Sequence, residues 1–258
     1  MPKLSSHPMV EFLDKKRDLI TNQSKDSFLK NIMNNDFESE IIVPMDKEED
    51  YHWNVSIDVA KLVATFNRIE IIQEFLSIPS KDIPLTNKKN SKLEWLGYHY
   101  STYIWTIVRL SDISFILTST IFNLGIPPKY CKDWLNISHE LVSKKVKSVL
   151  KKLNKEVDKK REQRNSLLHQ GNDPKIVGRN KLAVFETLSE LYPDMFQSQT
   201  EFLYKDLGDS LLKVIKTESK IFESIIYDLF DALKPSYEKK YGKIKGELLQ
   251  KALSNYKE

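Results

Sequence analysis

Apolar residues recur three and four positions apart along most of this chain, the period of a helix face. Between Asn54 and Ile78 the stripe is Val59, Leu62, Val63, Phe66, Ile69, Ile72 and Leu76, and Pro79 and Pro84 mark its stop. From Leu93 to Leu124 large apolar and aromatic side chains fall on nearly all sides, which predicts a helix surrounded by others; Gly125 and Pro127-Pro128 end it. Asp133 to Gln170 reads as one long helix with Trp134, Ile137, Leu141, Val142, Val146, Val149, Leu150, Leu153 and Val157 on a single face, closed by Gly171 and Pro174. A shorter helix is expected over Leu182 to Leu191, with Pro193 as an interruption. The last long helix, about Thr200 to Leu233, carries Tyr204, Leu207, Leu211, Ile215, Phe222, Ile225, Leu229 and Leu233 as a regular stripe, and Pro235 is read as its end.

Nearer the N-terminus, Val10 to Asn34 reads as a first helix on Phe12, Leu19, Ile20 and Phe28. The short run Ile41 to Val43 is open between loop and the one strand of the chain. The expected fold class is therefore all-α, a helical bundle over residues 54–233 with an N-terminal helix and loop extension (1–53) and extra C-terminal helices. Residues 234–258 hold seven lysines and three glutamates with a short amphipathic run at Leu248 to Leu253, and are expected to form a loosely packed basic tail. No segment repeats at a solenoid period.

Composition supports long helices. Only seven glycines occur in 258 residues, against roughly 7% in an average chain, so few positions suit tight turns. The single cysteine, Cys131, excludes an intramolecular disulfide and a Cys-based zinc cluster and fits a reducing, cytoplasmic compartment. Met1 to Asp14 has no apolar segment of signal-peptide length, so no secretory signal is expected. The most apolar stretch, Ile104 to Ile126, holds Arg109 and Asp112 near its middle. Each costs roughly 2.5 to 3.5 kcal/mol at a bilayer centre, so the stretch reads as a buried core helix with no membrane partner.

With 40 Lys+Arg against 36 Asp+Glu the net charge is only +4, and a nucleic-acid argument must rest on local clustering. Such a cluster exists: residues 144–164 contain ten Lys or Arg against three acidic residues. Lys152, Lys155, Lys159, Lys160 and Arg161 form a ridge that is either a solvated helix face or a guide for an RNA backbone through phosphate contacts.

The ridge leads to Arg161-Glu162-Gln163-Arg164-Asn165-Ser166-Leu167-Leu168-His169-Gln170-Gly171. The apolar stripe extrapolates to Arg161, Arg164 and Leu168, so Arg164 should face other protein and need a partner. That partner is a carboxylate from another helix, a second subunit or a bound phosphate. His169 falls in the last helical turn, where exposed carbonyl dipoles favour the imidazolium and suit a general acid. Five positions place Arg164 and His169 about 140° apart on an ideal helix, so an unwound turn or a two-fold partner is needed to converge them. The structural alternative for the two residues is a buried salt bridge and a helix-ending histidine. Arg109 and Asp112, three apart, read first as an internal ion pair; otherwise Asp112 supports the site by orienting His169 or Arg164. Tyr98, Tyr100, Tyr103 and Trp105 read as core rather than as base-stacking surfaces. No phosphate-cradling glycine loop, nucleophile elbow or two-metal acidic cluster is present, and His139-Glu140 lacks the second His of a metalloprotease helix.

Arg164-Asn165-x-x-x-His169 resembles the signature of the HEPN family, an Arg followed directly by a polar residue and a few positions later by a His. The motif spans residues 164–169 and the helix pattern residues 54–233. The resemblance implies a homodimer that pools two motif copies in one cleft and cuts RNA without metal or other cofactor. A 2′-hydroxyl attacks the adjacent phosphodiester, leaving 2′,3′-cyclic phosphate and 5′-hydroxyl ends. His169 would shuttle protons, Arg164 would stabilise charge on the phosphoryl oxygens, and Asn165 would bond the phosphate or hold the two copies in register. Family members often act as toxins or phage-defence effectors restrained by a nucleotidyltransferase-type antitoxin. Some carry a modifiable Tyr two residues after the His; Gly171 stands there in this chain, so that control is not expected. The alternative expectations are a catalytically silent HEPN-like module that binds a nucleotide or protein, and a purely structural helical scaffold.

Overall fold

The computed structural model describes residues 4–15, 17–18, 47–79, 92–136, 140–170 and 174–255; the side chains of 134–136, 168–170 and 241–255 lie outside the described part. All regular structure among the described residues is helical, and the chain is an all-α helical bundle protein. The candidate strand Ile41 to Val43 and most of the first expected helix lie outside the described residues; of that helix, 10–15 and 17–18 are described and helical.

Helix α1 spans Lys47–Leu76, its first turn carrying Glu48, Glu49 and Asp50 against the positive end of the helix dipole. It ends where Ser77 turns its hydroxyl onto the Glu74 carbonyl at 2.7 Å. Helix α2 spans Lys92–Phe122. Asn123 and Gly125 follow it with φ of 52° and 64°, left-handed conformations that a short polar side chain or no side chain tolerates.

The expected helix Asp133 to Gln170 is two helices, α3 over Cys131–Asn136 and α4 over Lys144–Gln170. Residues 140–143 are turn and loop, and the Ser143 hydroxyl accepts the Val146 amide at 3.3 Å as an N-terminal cap. An apolar stripe running through both pieces conceals that cap. Helix α5 spans Arg179–Leu191. Helix α6 runs over Pro193–Asn255, longer than expected at both ends. Pro193 opens the helix, a position that needs no amide donor, and Pro235 lies inside it rather than ending it. At the start of the expected tail Tyr237 is 3% exposed, so the helix is packed at least to that residue.

The chain divides into two compact units, neither contiguous in sequence: Met1–Val63 with Asp112–Lys151 and Ile225–Glu258, and Ala64–Ser111 with Lys152–Ser224. In the first, Val55, Val59, Leu62, Phe115, Leu117, Ile121, Leu229, Phe230 and Leu233 are buried. There the Tyr51 hydroxyl donates to the Ile121 carbonyl at 3.0 Å, Tyr237 stacks on Tyr51 with ring centroids 5.8 Å apart, and the Tyr237 hydroxyl pairs with His52. The N-terminal segment joins this core through Leu4, Met9, Val10 and Leu13, and His7 reaches Asp231 at 3.3 Å. In the second unit the core is drawn from Phe66, Ile69, Ile72, Leu96, Ile104, Ile107, Leu153, Val157, Leu207, Leu211 and Ile215.

Helix α2 is apolar and long enough to cross a membrane, and 72% of its most apolar window is buried inside the protein, as in the core helix of a soluble protein. It is not apolar on every side. Tyr100 and Tyr103 are buried as expected, but Tyr98 and Trp105, seven positions apart and therefore on one face, are 68% and 45% exposed. Arg109 and Asp112 are also exposed, so the expected internal ion pair is not formed in the interior.

Candidate functional site

Helix α4 owes its orientation to Val146, Leu150, Leu153 and Val157, all buried, while Lys152, Lys155 and Lys159 stand exposed on another face. Spaced i, i+3 and i+7, these three lysines share one side of the helix. The two other cations assigned to the ridge do not join them. Lys160 is 7% exposed, and its ammonium lies 3.0 Å from the Glu218 carboxylate and 5.7 and 5.5 Å from the Tyr100 and Tyr103 ring centroids. A desolvated ammonium costs several kcal/mol unless it is paired, and Glu218 with two aromatic faces supplies the compensation. The Tyr103 hydroxyl donates to the same carboxylate at 2.6 Å, and burial together with the Glu218 charge pushes the phenol well above its usual range. Lys160 is thus a buried structural cation.

Arg161 is also drawn inward, its side chain 13% exposed. Its guanidinium donates to Asn154 Oδ1 at 2.6 Å, to Asp158 at 2.8 Å and to Ser111 Oγ at 2.9 Å. A planar fork with several donors suits this three-way pairing. The cations on the accessible face are therefore Lys152, Lys155 and Lys159.

Arg164 is half-buried and Asn165 exposed. Arg164 donates through Nε and Nη2 to Asn165 Oδ1 at 3.3 and 3.0 Å, and pairs with no carboxylate among the described residues. The amide oxygen fixes the direction of the fork while leaving its charge unneutralised. On an ideal helix Arg164 lies roughly 120° around from Lys152, so the lysine face and the arginine are distinct surfaces of α4. His169 belongs to the last turn of α4, which remains helical through Gln170; its side chain lies outside the described part, as does Gly171. Asp112 is exposed on α2.

One group beside the motif was not legible beforehand. Gln163 Oε1 is buried without a hydrogen-bond partner among the described residues, immediately before Arg164. Buried acceptors are nearly always satisfied, and no spacing rule singles out a glutamine in a charged helix as the exception.

Comparison of the chain with protein-family models, with curated proteins and with solved structures found no match.

Proposed function

We propose that this protein is a metal-independent endoribonuclease of the HEPN type that acts as a homodimer in the cytoplasm. The observation that carries the reading is Arg164, a cation held in direction by Asn165 and paired with no carboxylate among the described residues. Such a fork is available to a phosphate, where a planar set of donors is best matched.

The continuity of α4 supports the dimer. With the helix unbroken to Gln170, Arg164 and His169 are separated by about 7.5 Å along the axis and about 140° around it. Two copies of the motif facing each other across a two-fold axis would bring them together without any unwinding of this helix. In the reaction, the imidazole of His169 transfers protons between the attacking 2′-hydroxyl, the leaving 5′-oxygen and solvent. Arg164 stabilises the charge that builds on the phosphoryl oxygens, and Asn165 holds the arginine or the phosphate. A toxin or phage-defence role, with a nucleotidyltransferase-type partner as restraint, follows from family analogy.

The test is incubation of purified protein with total RNA and tRNA in excess EDTA, with product ends analysed. Cyclic-phosphate ends are expected, with activity falling by about 100-fold or more in His169→Ala and by a comparable factor in Arg164→Ala. Absence of cleavage by a folded, dimeric parent protein would overturn the proposal and leave the silent binding module.

A further inference from the structure

The unit formed by Ala64–Ser111 and Lys152–Ser224 carries a second surface that the motif does not use. Tyr98, Ser101, Trp105 and Arg109 of α2, with Arg68 of α1, line a shallow open cleft of about 420 Å³. Large aromatics at these positions stand in solvent, whereas their neighbours Tyr100 and Tyr103 are buried. Both arginines are exposed, and neither forms an ion pair among the described residues. The lining contains two guanidinium groups and no carboxylate. The Thr102 and Thr106 hydroxyls are turned back onto the Tyr98 and Thr102 carbonyls at 2.8 and 2.7 Å. The other polar side-chain groups of the lining are the two guanidiniums, the Tyr98 and Ser101 hydroxyls and the Trp105 indole N–H. Phe75 and Ile71, exposed on the same side of α1, lengthen the apolar stretch.

We propose that this face binds single-stranded RNA, with bases stacked on Tyr98 and Trp105 and backbone phosphates paired to Arg68 and Arg109. Stacking on an aromatic face accepts any base, and arginine contacts to phosphate track the strand without reading it. A second copy of the chain is a poorer occupant. A two-fold contact would set two unpaired arginines from each side against a surface with no carboxylate in its lining, which is a repulsive arrangement. A polyanion with planar bases answers both the charge and the exposed rings. The choice of RNA among polyanions rests on the ribonuclease reading; the surface itself is read by binding alone.

The experiment uses the full chain and a short fluorescein-labelled 2′-O-methyl oligouridylate, which lacks the attacking hydroxyl, followed by fluorescence anisotropy over a salt series. The Arg68→Ala, Arg109→Ala double variant is expected to bind about 10-fold more weakly or worse, with the slope of log K against log salt reduced by about 1.4. Trp105→Ala is expected to lose about 10-fold in affinity, and Trp105→Phe to retain most of it because a phenyl ring still stacks. Unchanged circular dichroism of the variants shows that exposed positions were altered without loss of fold. No binding by the parent, or equal binding by parent and variants, overturns the inference, as does a lowered sedimentation mass in the variants with RNA binding intact. Cleavage of total RNA by the parent distinguishes the two proposals. Binding that the variants weaken, without cleavage, sinks the ribonuclease and keeps this surface; cleavage with binding indifferent to the variants does the reverse.

Discussion

His99 shows what burial does to a single residue. It is packed among Phe75, Trp95 and Tyr98 with ring centroids 5.0, 4.4 and 5.2 Å away, its Nε2 has no hydrogen-bond partner among the described residues, and burial holds its pKa below the ordinary value. The unfolded chain takes up this proton near pH 6.5 and the folded chain only at lower pH. Between the two the unfolded state binds more protons, so the stability is full above about pH 6.5 and falls as pH drops below it. The urea midpoint should therefore decrease on acidification below that value, and His99→Phe should flatten the slope. An unchanged slope would place the linked proton elsewhere. His7, in the other unit and also held down by burial against its Asp231 hydrogen bond, acts in the same direction. Lys160 teaches the complementary lesson. In sequence it is one lysine among ten cations, and although it falls three residues after Val157 on the buried stripe, a lysine there names no partner. Its partner Glu218 lies far along the chain, and only the fold brings the ammonium beneath Tyr100 and Tyr103. The motif residues Arg164, Asn165 and His169 were legible as a pattern, because their spacing survives without tertiary information.

At the scale of elements, periodicity served well wherever an apolar face is buried. The stripe from Tyr204 to Leu233 is buried at every position named for it, and so are Val59, Leu62, Phe66, Ile69, Ile72 and Leu76 of α1. What periodicity could not locate were ends. Ser143 starts α4 in the middle of a continuous stripe, and Pro235 fails to stop α6. A proline deprives the carbonyl four residues earlier of its donor and crowds it, yet Leu233 before it and Tyr237 after it are both buried, so the helix is held on each side. Pro235→Ala should restore the missing bond and raise stability by about 1 to 3 kcal/mol, read as a higher melting temperature. A lower one would mean that the proline's fixed φ or its ring contacts matter more than the lost hydrogen bond.

At the scale of the molecule, a linear division into extension, domain and tail describes the sequence, whereas contacts group the chain by space. The unit containing the N-terminal segment also takes in Ile225–Glu258, and Tyr237 sits in its core. A chain ending at Leu233 should be less stable by about 3 to 5 kcal/mol, close to the effect of Tyr237→Ala, as judged by urea unfolding. A loss under about 1 kcal/mol would show that the helix beyond Pro235 contributes no packing. The interleaving also sets an order of events during translation. Every residue of the unit formed by Ala64–Ser111 and Lys152–Ser224 is synthesised before Phe230, Asp231 and Tyr237, the partners of His7 and Phe12 in the first segment. At about 5 to 20 residues per second, His7 and Phe12 wait roughly ten to forty seconds for these partners to be made. For that interval the nascent chain is a client for any chaperone that recognises short apolar helices.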